Sequence, residues 1–450
     1  MFETGRSLLL AVLAIRGKLK KKWKNWTGNQ TATTEGIFVP KSEDEITSLI
    51  GKGVANRWKI RPVGSSHSFN SICVTDGLLI SLDYFSKVVD VNSDRLQVTA
   101  GGGITLSALN IELDKHGLAL PNLGDIDSQT LAGAISTGTH GTGKNFSSIS
   151  AAVVGIRIAT GDGAIIEVSK SHNPEILESA RVSLGAFGII ISVTLQCIES
   201  FNLESLELTD SLSSVLERFE HEDNQSDFVE FFWYPHTEIA EIKINNRTTD
   251  LPTRNGNIQR FLNDEILRNA SFGFLNKYWK YFPSHVPGTL NKALKVGDSR
   301  IQIDRSYRVF CSKRRVKFLE MEYAIPRECL LEVFKKVQKI IENLSTPITF
   351  PIEVRSLGPD DIPLSPAFGR NTGYIAVHVY KGADHSSFFS QIENLMRDYE
   401  GRPHWGKLHT LSSRELMTLY PEWEKFALIR KRLDPDSHFS NDYLERVLGY

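Results

Sequence analysis

The chain has 450 residues, 41% hydrophobic and 23% charged, with 52 Lys and Arg against 53 Asp and Glu and a formal net charge of −1. This is a soluble globular composition long enough for two or three domains, and its near-neutrality excludes the strongly basic character of a nucleic-acid or anionic-membrane binder. Four scattered cysteines (Cys73, Cys197, Cys311 and Cys329) form no C-x-x-C pair. They argue against a disulfide framework or a zinc site, so no metal is expected and the reducing cytoplasm is the default location.

At the N-terminus an apolar run, Leu8 to Ile15, precedes Arg16, Lys18, Lys20, Lys21, Lys22 and Lys24. The run is too short to span a bilayer, and its charges lie on the wrong side for a signal peptide. Residues 1–24 therefore read as a solvated, poorly ordered extension, with an amphipathic helix on an anionic membrane as the less favoured alternative. Beyond Phe38-Val-Pro40, a helical pattern places Ile46, Leu49 and Ile50 on one face.

The next stretch is Arg61-Pro-Val-Gly-Ser-Ser-His-Ser-Phe-Asn70, where a strand ending in Ile60 and Val63 breaks at Gly64-Ser65-Ser66. Successive amides in such a turn can converge on a phosphate, glycine permits close approach, and the serines add hydroxyl donors. His67 sits within it. Residues 78–82, 88–91 and 96–99 read as strands, and a helix from about Leu106 to His116 ends at Gly117. Gly101-Gly-Gly103 lacks the third glycine of a dinucleotide fingerprint, because Leu106 stands in its place, so it reads as a turn only.

From Leu120 to Gly143, glycines at 124, 133, 138, 141 and 143 recur among small and hydroxyl residues, a composition suited to backbone lying flat against a large planar cofactor. Within it, Gly138 to Lys144 nearly matches a phosphate loop, but Asn145 replaces the Ser or Thr that would hold Mg²⁺. Residues 152–168 read as two strands joined at Gly161-Asp-Gly163, and Ser183 to Leu195 as a small-residue turn entering a buried strand. After Phe201 the aromatic clusters at 231–234 and 278–282 read as core. Phe318 to Ala324 alternates as a strand, Pro326 opens a helix bearing Leu330, Phe334, Val337 and Ile341, and a second β–α unit spans 374–399.

Three pieces of this second half carry polar residues in apolar settings. Glu353 and Arg355 share one face of a strand, as do His378 and Tyr380, and Lys407 follows the turn Arg402-Pro-His-Trp-Gly. Singly, each suits a structural ion pair or a core histidine.

Arg-x-x-Gly-Ser-x-His-Ser-Phe-Asn resembles the signature of vanillyl-alcohol-oxidase-type (PCMH-type) FAD oxidoreductases, closest to the alditol oxidase and sugar-1,4-lactone oxidase branch. The resemblance covers residues 25 to 450, weakly over 205–300. It implies an α+β fold: a two-part PCMH-type FAD-binding domain over 25–200, an α+β cap with an antiparallel sheet over 201–415, and a segment, 416–450, returning to the FAD domain. It implies FAD carried covalently on His67 through the 8α carbon, cradled by Pro62, Val63, Gly64, Ser65, Ser66 and Ser68, by Gly124, Asp125 and Thr130, by Gly133, Ala134, Ile135, Ser136 and Thr137, and by Ile190. Glu353, Arg355 and Lys407 would bind substrate hydroxyls, Arg355 would offset developing negative charge, and His378 is the neutral candidate base. Asp125 and Tyr380, in place of the family's serine and threonine, would line the substrate pocket, the first repelling acidic substrates and the second shortening the pocket. Gly124 would leave the flavin edge open to O₂.

The implied activity is oxidation of the CH–OH group of a small polyol such as xylitol or sorbitol, with hydride passing to flavin N5 and O₂ reduced to H₂O₂. The alternative substrate is a sugar-1,4-lactone (D-arabinono- or L-gulono-1,4-lactone). A phosphate-loop NTPase and a non-catalytic flavin-fold binding module are the remoter readings.

Overall fold

The computed structural model describes residues 20–253 and 271–449. The apolar run Leu8 to Ile15, and with it the amphipathic-helix reading, lies outside them. Lys20 to Lys24 departs from the expected loose extension. Lys21–Lys24 (β1) pairs antiparallel with Thr31–Thr34 (β2), matching Trp23 to Ala32. Its lysines stay largely exposed while Trp23 turns inward and donates from Nε1 to Ser66 Oγ at 3.1 Å. A single anchoring tryptophan orders a segment whose charge predicts solvation.

The first half of the chain carries two larger sheets. Gly36–Phe38 (β3), Ile60–Val63 (β4) and Leu78–Ser81 (β5) form a parallel sheet in the order β3-β5-β4, linked by helix α1 (Glu43–Ala55). Pro62 is tolerated because β4 is an edge strand, where a missing N–H breaks no ladder. Val88–Asn92 (β6), Gln97–Gly101 (β7), Val153–Ala159 (β8), Ile165–Ser169 (β9) and Ile189–Gln196 (β10) form an antiparallel sheet in the order β9-β8-β10-β7-β6. Between them run helix α2 (Leu106–Lys115), capped by Thr105 accepting from the Ala108 amide at 3.2 Å, and the short helix α3 (Leu131–Ser136).

The second half is organised on an eight-stranded sheet. Its strands are Asn202–Ser211 (β11), Phe228–Trp233 (β12), Ile239–Thr248 (β13), Ser299–Arg305 (β14), Phe318–Pro326 (β15), Ile352–Leu357 (β16), Thr372–Tyr380 (β17) and Arg402–Pro403 (β18), ordered β14-β11-β13-β12-β16-β17-β15-β18. Every neighbouring pair is antiparallel.

The central strands are buried on both faces, yet alternation gives the faces opposite chemistry. One face, including Phe231, Val354, Ile375, Val377 and Met321, packs on helices α4 (Leu212–Gln225) and α5 (Leu330–Glu342). There Phe231 meets Phe219 and Phe334 edge-on at 5.0 and 5.2 Å, each such pair contributing about 0.5–1.5 kcal/mol beyond area burial. The other face carries, by register, Glu230, Lys243, Glu353, Arg355, Tyr374, His378, Glu320 and Glu322. The aromatic clusters expected to be core are so only in part: Phe231, Trp233 and Trp279 are buried, whereas Tyr281 and Phe282 are 70% and 51% exposed. No helix among the described residues is long and apolar enough to cross a membrane.

Candidate active site

The turn after β4 forms one wall of a cavity open to solvent. Pro62, Val63, Gly64, Ser65, Ser66, His67 and Ser68 all line it, as do Thr130, Gly133, Ser136, Thr137 and Ile190. Four expected contacts stand elsewhere. Ala134 and Ile135 point into the hydrophobic core, and Gly124 and Asp125 lie outside the cavity lining. Gly102 and Gly103, read from sequence as a turn only, do line the cavity, with Leu82, Gln129, Leu184, Gly185 and Gly188. The clue at Gly102 was the glycine run itself: a Cβ there would strike the Ile190 carbonyl. A Cβ on Gly64 would likewise strike Thr130 Oγ1, so the two walls meet only with glycine at that point.

Arg61 holds this turn in place. It is fully buried, donating from Nε to Ile72 O (2.9 Å), from Nη1 to Gly185 O (3.0 Å) and Phe439 O (2.7 Å), and from Nη2 to Leu184 O (2.7 Å). Burial pulls its pKa down to about 10. With its donors engaged by carbonyls, Arg61 braces the wall from behind. The backbone amides of Ser65, Ser66, His67 and Ser68, by contrast, find no protein acceptor among the described residues. A phosphate-bearing cofactor suits such amides, so the cavity fits FAD in donor chemistry.

His67 is half-buried between Trp26, stacked on it at 5.3 Å and 26°, and Ser128, whose Oγ lies 2.9 Å from Nε2. Burial, reinforced by Lys407, lowers its pKa to about 4, so the imidazole is neutral at ordinary pH. Ser66, immediately before it, holds a left-handed φ of 59° and is clamped by Trp23 and by the Trp26 amide.

The charged face of the cap sheet brings the other expected residues together. Arg355 donates from Nε to Glu230 Oε2 at 3.0 Å, pairs through Nη2 with Asp125 Oδ1 at 2.6 Å and touches Glu353 Oε1. Asp125 is also held by Arg314 at 2.8 Å. Burial raises the Asp125 carboxyl, but Arg355, Arg314 and Lys243 outweigh it and hold it well below the usual carboxylate range. Glu353 goes the other way. Burial pushes it well up, against Arg355, with Asp125, Glu230 and Glu322 adding to the rise. Its Oε1 packs on Arg355 without hydrogen-bonding geometry, and the upward shift favours the protonated form, which can donate.

Lys407 pairs with Glu320 and lies over the Phe69 ring at 5.2 Å. His378 places Nδ1 3.1 Å from Pro351 O and Nε2 3.5 Å from Glu320 Oε1. Burial opposes ionisation of Glu320, yet Lys407 and His378 hold its carboxyl below the usual range. His140 repeats the pattern, with Nδ1 2.9 Å from Gly141 O and Nε2 3.4 Å from Glu322 Oε1. A carbonyl only accepts, so Nδ1 of each ring donates to it and Nε2 faces a carboxylate. Tyr380 follows His378 on the same face, half-buried at the strand end. The near phosphate loop is used otherwise: the Gly143 amide donates to Ser356 O at 2.8 Å and Lys144 Nζ to Asn224 Oδ1 at 2.5 Å.

Sequence reasoning missed Glu230, Lys243, Arg314, Glu320 and Glu322. The signal was present in Phe318-Leu-Glu-Met-Glu-Tyr, whose glutamates alternate with apolar residues just as Glu353 and Arg355 do.

Comparison with known proteins agrees with this geometry. Residues 34–169 match an FAD binding domain and residues 193–447 match the family described as D-arabinono-1,4-lactone oxidase. Over 429 residues the chain is 41% identical to L-gulono-1,4-lactone dehydrogenase of Mycobacterium tuberculosis, covering 95% of this chain and 99% of that protein. It is 31% identical over 449 residues to L-gulonolactone oxidase of Bos taurus, with 96% and 99% covered. Among solved structures, cholesterol oxidase from B. sterolicum superposes with a TM-score of 0.82 at 17% identity over 95% of this chain and 97% of that one, a likeness of fold. The protein is an FAD-dependent oxidoreductase. It belongs to the D-arabinono-1,4-lactone oxidase family. These relatives correct the substrate expectation: they give the polyol no specific support and favour the sugar-1,4-lactone alternative.

Proposed function

We propose that the protein oxidises the CH–OH group of a sugar-1,4-lactone, with FAD attached to His67. The observation that carries the reading is the Asp125–Arg355–Glu353 cluster, in which Arg355 and Glu353 of the cap sheet meet Asp125 from the first half of the chain, backed by full-length relatives named for lactone oxidation. Bound FAD supplies the hydride acceptor and hands the electrons on to O₂.

Asp125, ionised, accepts hydrogen bonds from hydroxyls and repels carboxylates, which favours a neutral lactone over the open-chain acid. Glu353, its protonated form favoured by burial, can donate to a substrate oxygen. Arg355 is fixed on three sides by carboxyl groups, so its guanidinium opposes negative charge arising as the hydroxyl proton leaves, without having to reorganise. Lys407, held by Glu320, adds a second fixed positive charge. His378, its ring placed between Pro351 O and Glu320, is the candidate base for the reacting hydroxyl. Tyr380 limits the length of the pocket.

Kinetics on L-gulono- and D-arabinono-1,4-lactone against xylitol and sorbitol test this reading. Turnover of the polyols alone refutes it. The relatives carry both oxidase and dehydrogenase names, so the acceptor is tested by comparing O₂ with a dye acceptor. Glycine at 124 supports O₂. However, a Cβ there would sit 2.8 Å from the His140 carbonyl, so Gly124→Ala must be checked for folding before any change in oxygen rate is interpreted. An absorbance spectrum before and after acid precipitation tests the attachment at His67.

A further inference from the structure

His67 has two ring nitrogens, and the structure treats them differently. Nε2 lies 2.9 Å from Ser128 Oγ, whereas Nδ1 meets no hydrogen-bond partner among the described residues. The ring is neutral, so it carries one hydrogen: on Nε2 that hydrogen has Ser128 Oγ as acceptor, whereas on Nδ1 it would find none among the described residues. With Nε2–H donating to Ser128, Nδ1 is left with its lone pair exposed. Trp26 is stacked on one face of the ring and is itself packed edge-on against Phe318 at 5.7 Å.

We propose that Ser128 is a positioning residue for cofactor attachment, holding His67 in the tautomer whose Nδ1 attacks the flavin 8-methyl carbon. The role rests on the proposed covalent link at His67. In the net step a C–H bond of the methyl group and the N–H bond of the imidazole break and one C–N bond forms. The methyl proton leaves to solvent, the Nε2 proton leaves through Ser128 Oγ, and the two electrons pass to the flavin ring and then to O₂, giving H₂O₂.

The test follows acid-stable flavin on the polypeptide over time, by fluorescence of the denatured band and by intact mass, in wild type, Ser128→Ala, Ser128→Thr and His67→Ala. Ser128→Ala is expected to bind FAD that acid releases and to attach it about tenfold more slowly, as for loss of one orienting hydrogen bond. Ser128→Thr is expected to restore the rate, and His67→Ala to attach none. Attachment in Ser128→Ala at the wild-type rate overturns the role of Ser128 while leaving the link to His67 intact. Wild-type protein from which acid releases all flavin, or His67→Ala that still retains it, overturns the link itself and this role with it.

Discussion

The two halves of the site are made from different materials. The cofactor wall is mostly backbone: glycines at 64 and 102 let strands and turns meet, the amides of residues 65–68 are left for the ligand, and Arg61 braces the assembly from behind. The cap wall is mostly side chain: one face of a continuous sheet carries ionisable residues that hold one another by ion pairs. A backbone site fails when its shape fails. A side-chain site can lose function while its scaffold stands.

That contrast is open to direct attack. The largest effect is expected from Arg61→Ala, which leaves buried carbonyls of Leu184, Gly185 and Phe439 unpaired at about 1–3 kcal/mol each and removes one of two donors from Ile72 O. Thermal melts and flavin content should fall together, and a well-folded, fully yellow variant would break the contrast. Next is Arg355→Lys, which keeps the charge but loses the planar fork linking Glu230 and Asp125. A loss of about 10² to 10³ in kcat is expected with flavin content unchanged, measured by stopped-flow reduction.

A smaller effect is expected from Asp125→Ser, which releases Arg355 and Arg314 from a shared partner. KM for lactone should rise by about tenfold, and discrimination against the open-chain acid should weaken. The last is a pH effect. Because the Glu353 carboxyl is pushed up and acts while protonated, the rate should hold at low pH and fall as pH rises through its pKa. Glu353→Gln keeps a neutral donor and should flatten that alkaline limb.

The same contrast explains what could be read from sequence. The cofactor turn was legible because a backbone site needs particular residues in consecutive order, and Arg61 to Asn70 supplies them. The cap was legible only where polar pairs interrupt an apolar strand, at Glu353 with Arg355 and at His378. Glu320 and Glu322 obey the same alternation, but a charged residue at every second position of a strand ordinarily marks a solvent face. That face is covered here by the other half of the molecule, a tertiary fact with no local signature. Lys21–Lys24 was misjudged for the opposite reason: its lysines do face solvent, and one tryptophan reaching Ser66 orders the strand.

Arg61 reaches Phe439, and Asn441 Nδ2 donates to the carbonyls of Ser71, Ile72 and Val74, so the turn that cradles the flavin is tied to residues within the last dozen of the chain. During synthesis that turn emerges early and waits, without its brace, for nearly the whole polypeptide to follow. A chain truncated before Phe439 is therefore expected to hold little flavin, checked by absorbance of the purified protein.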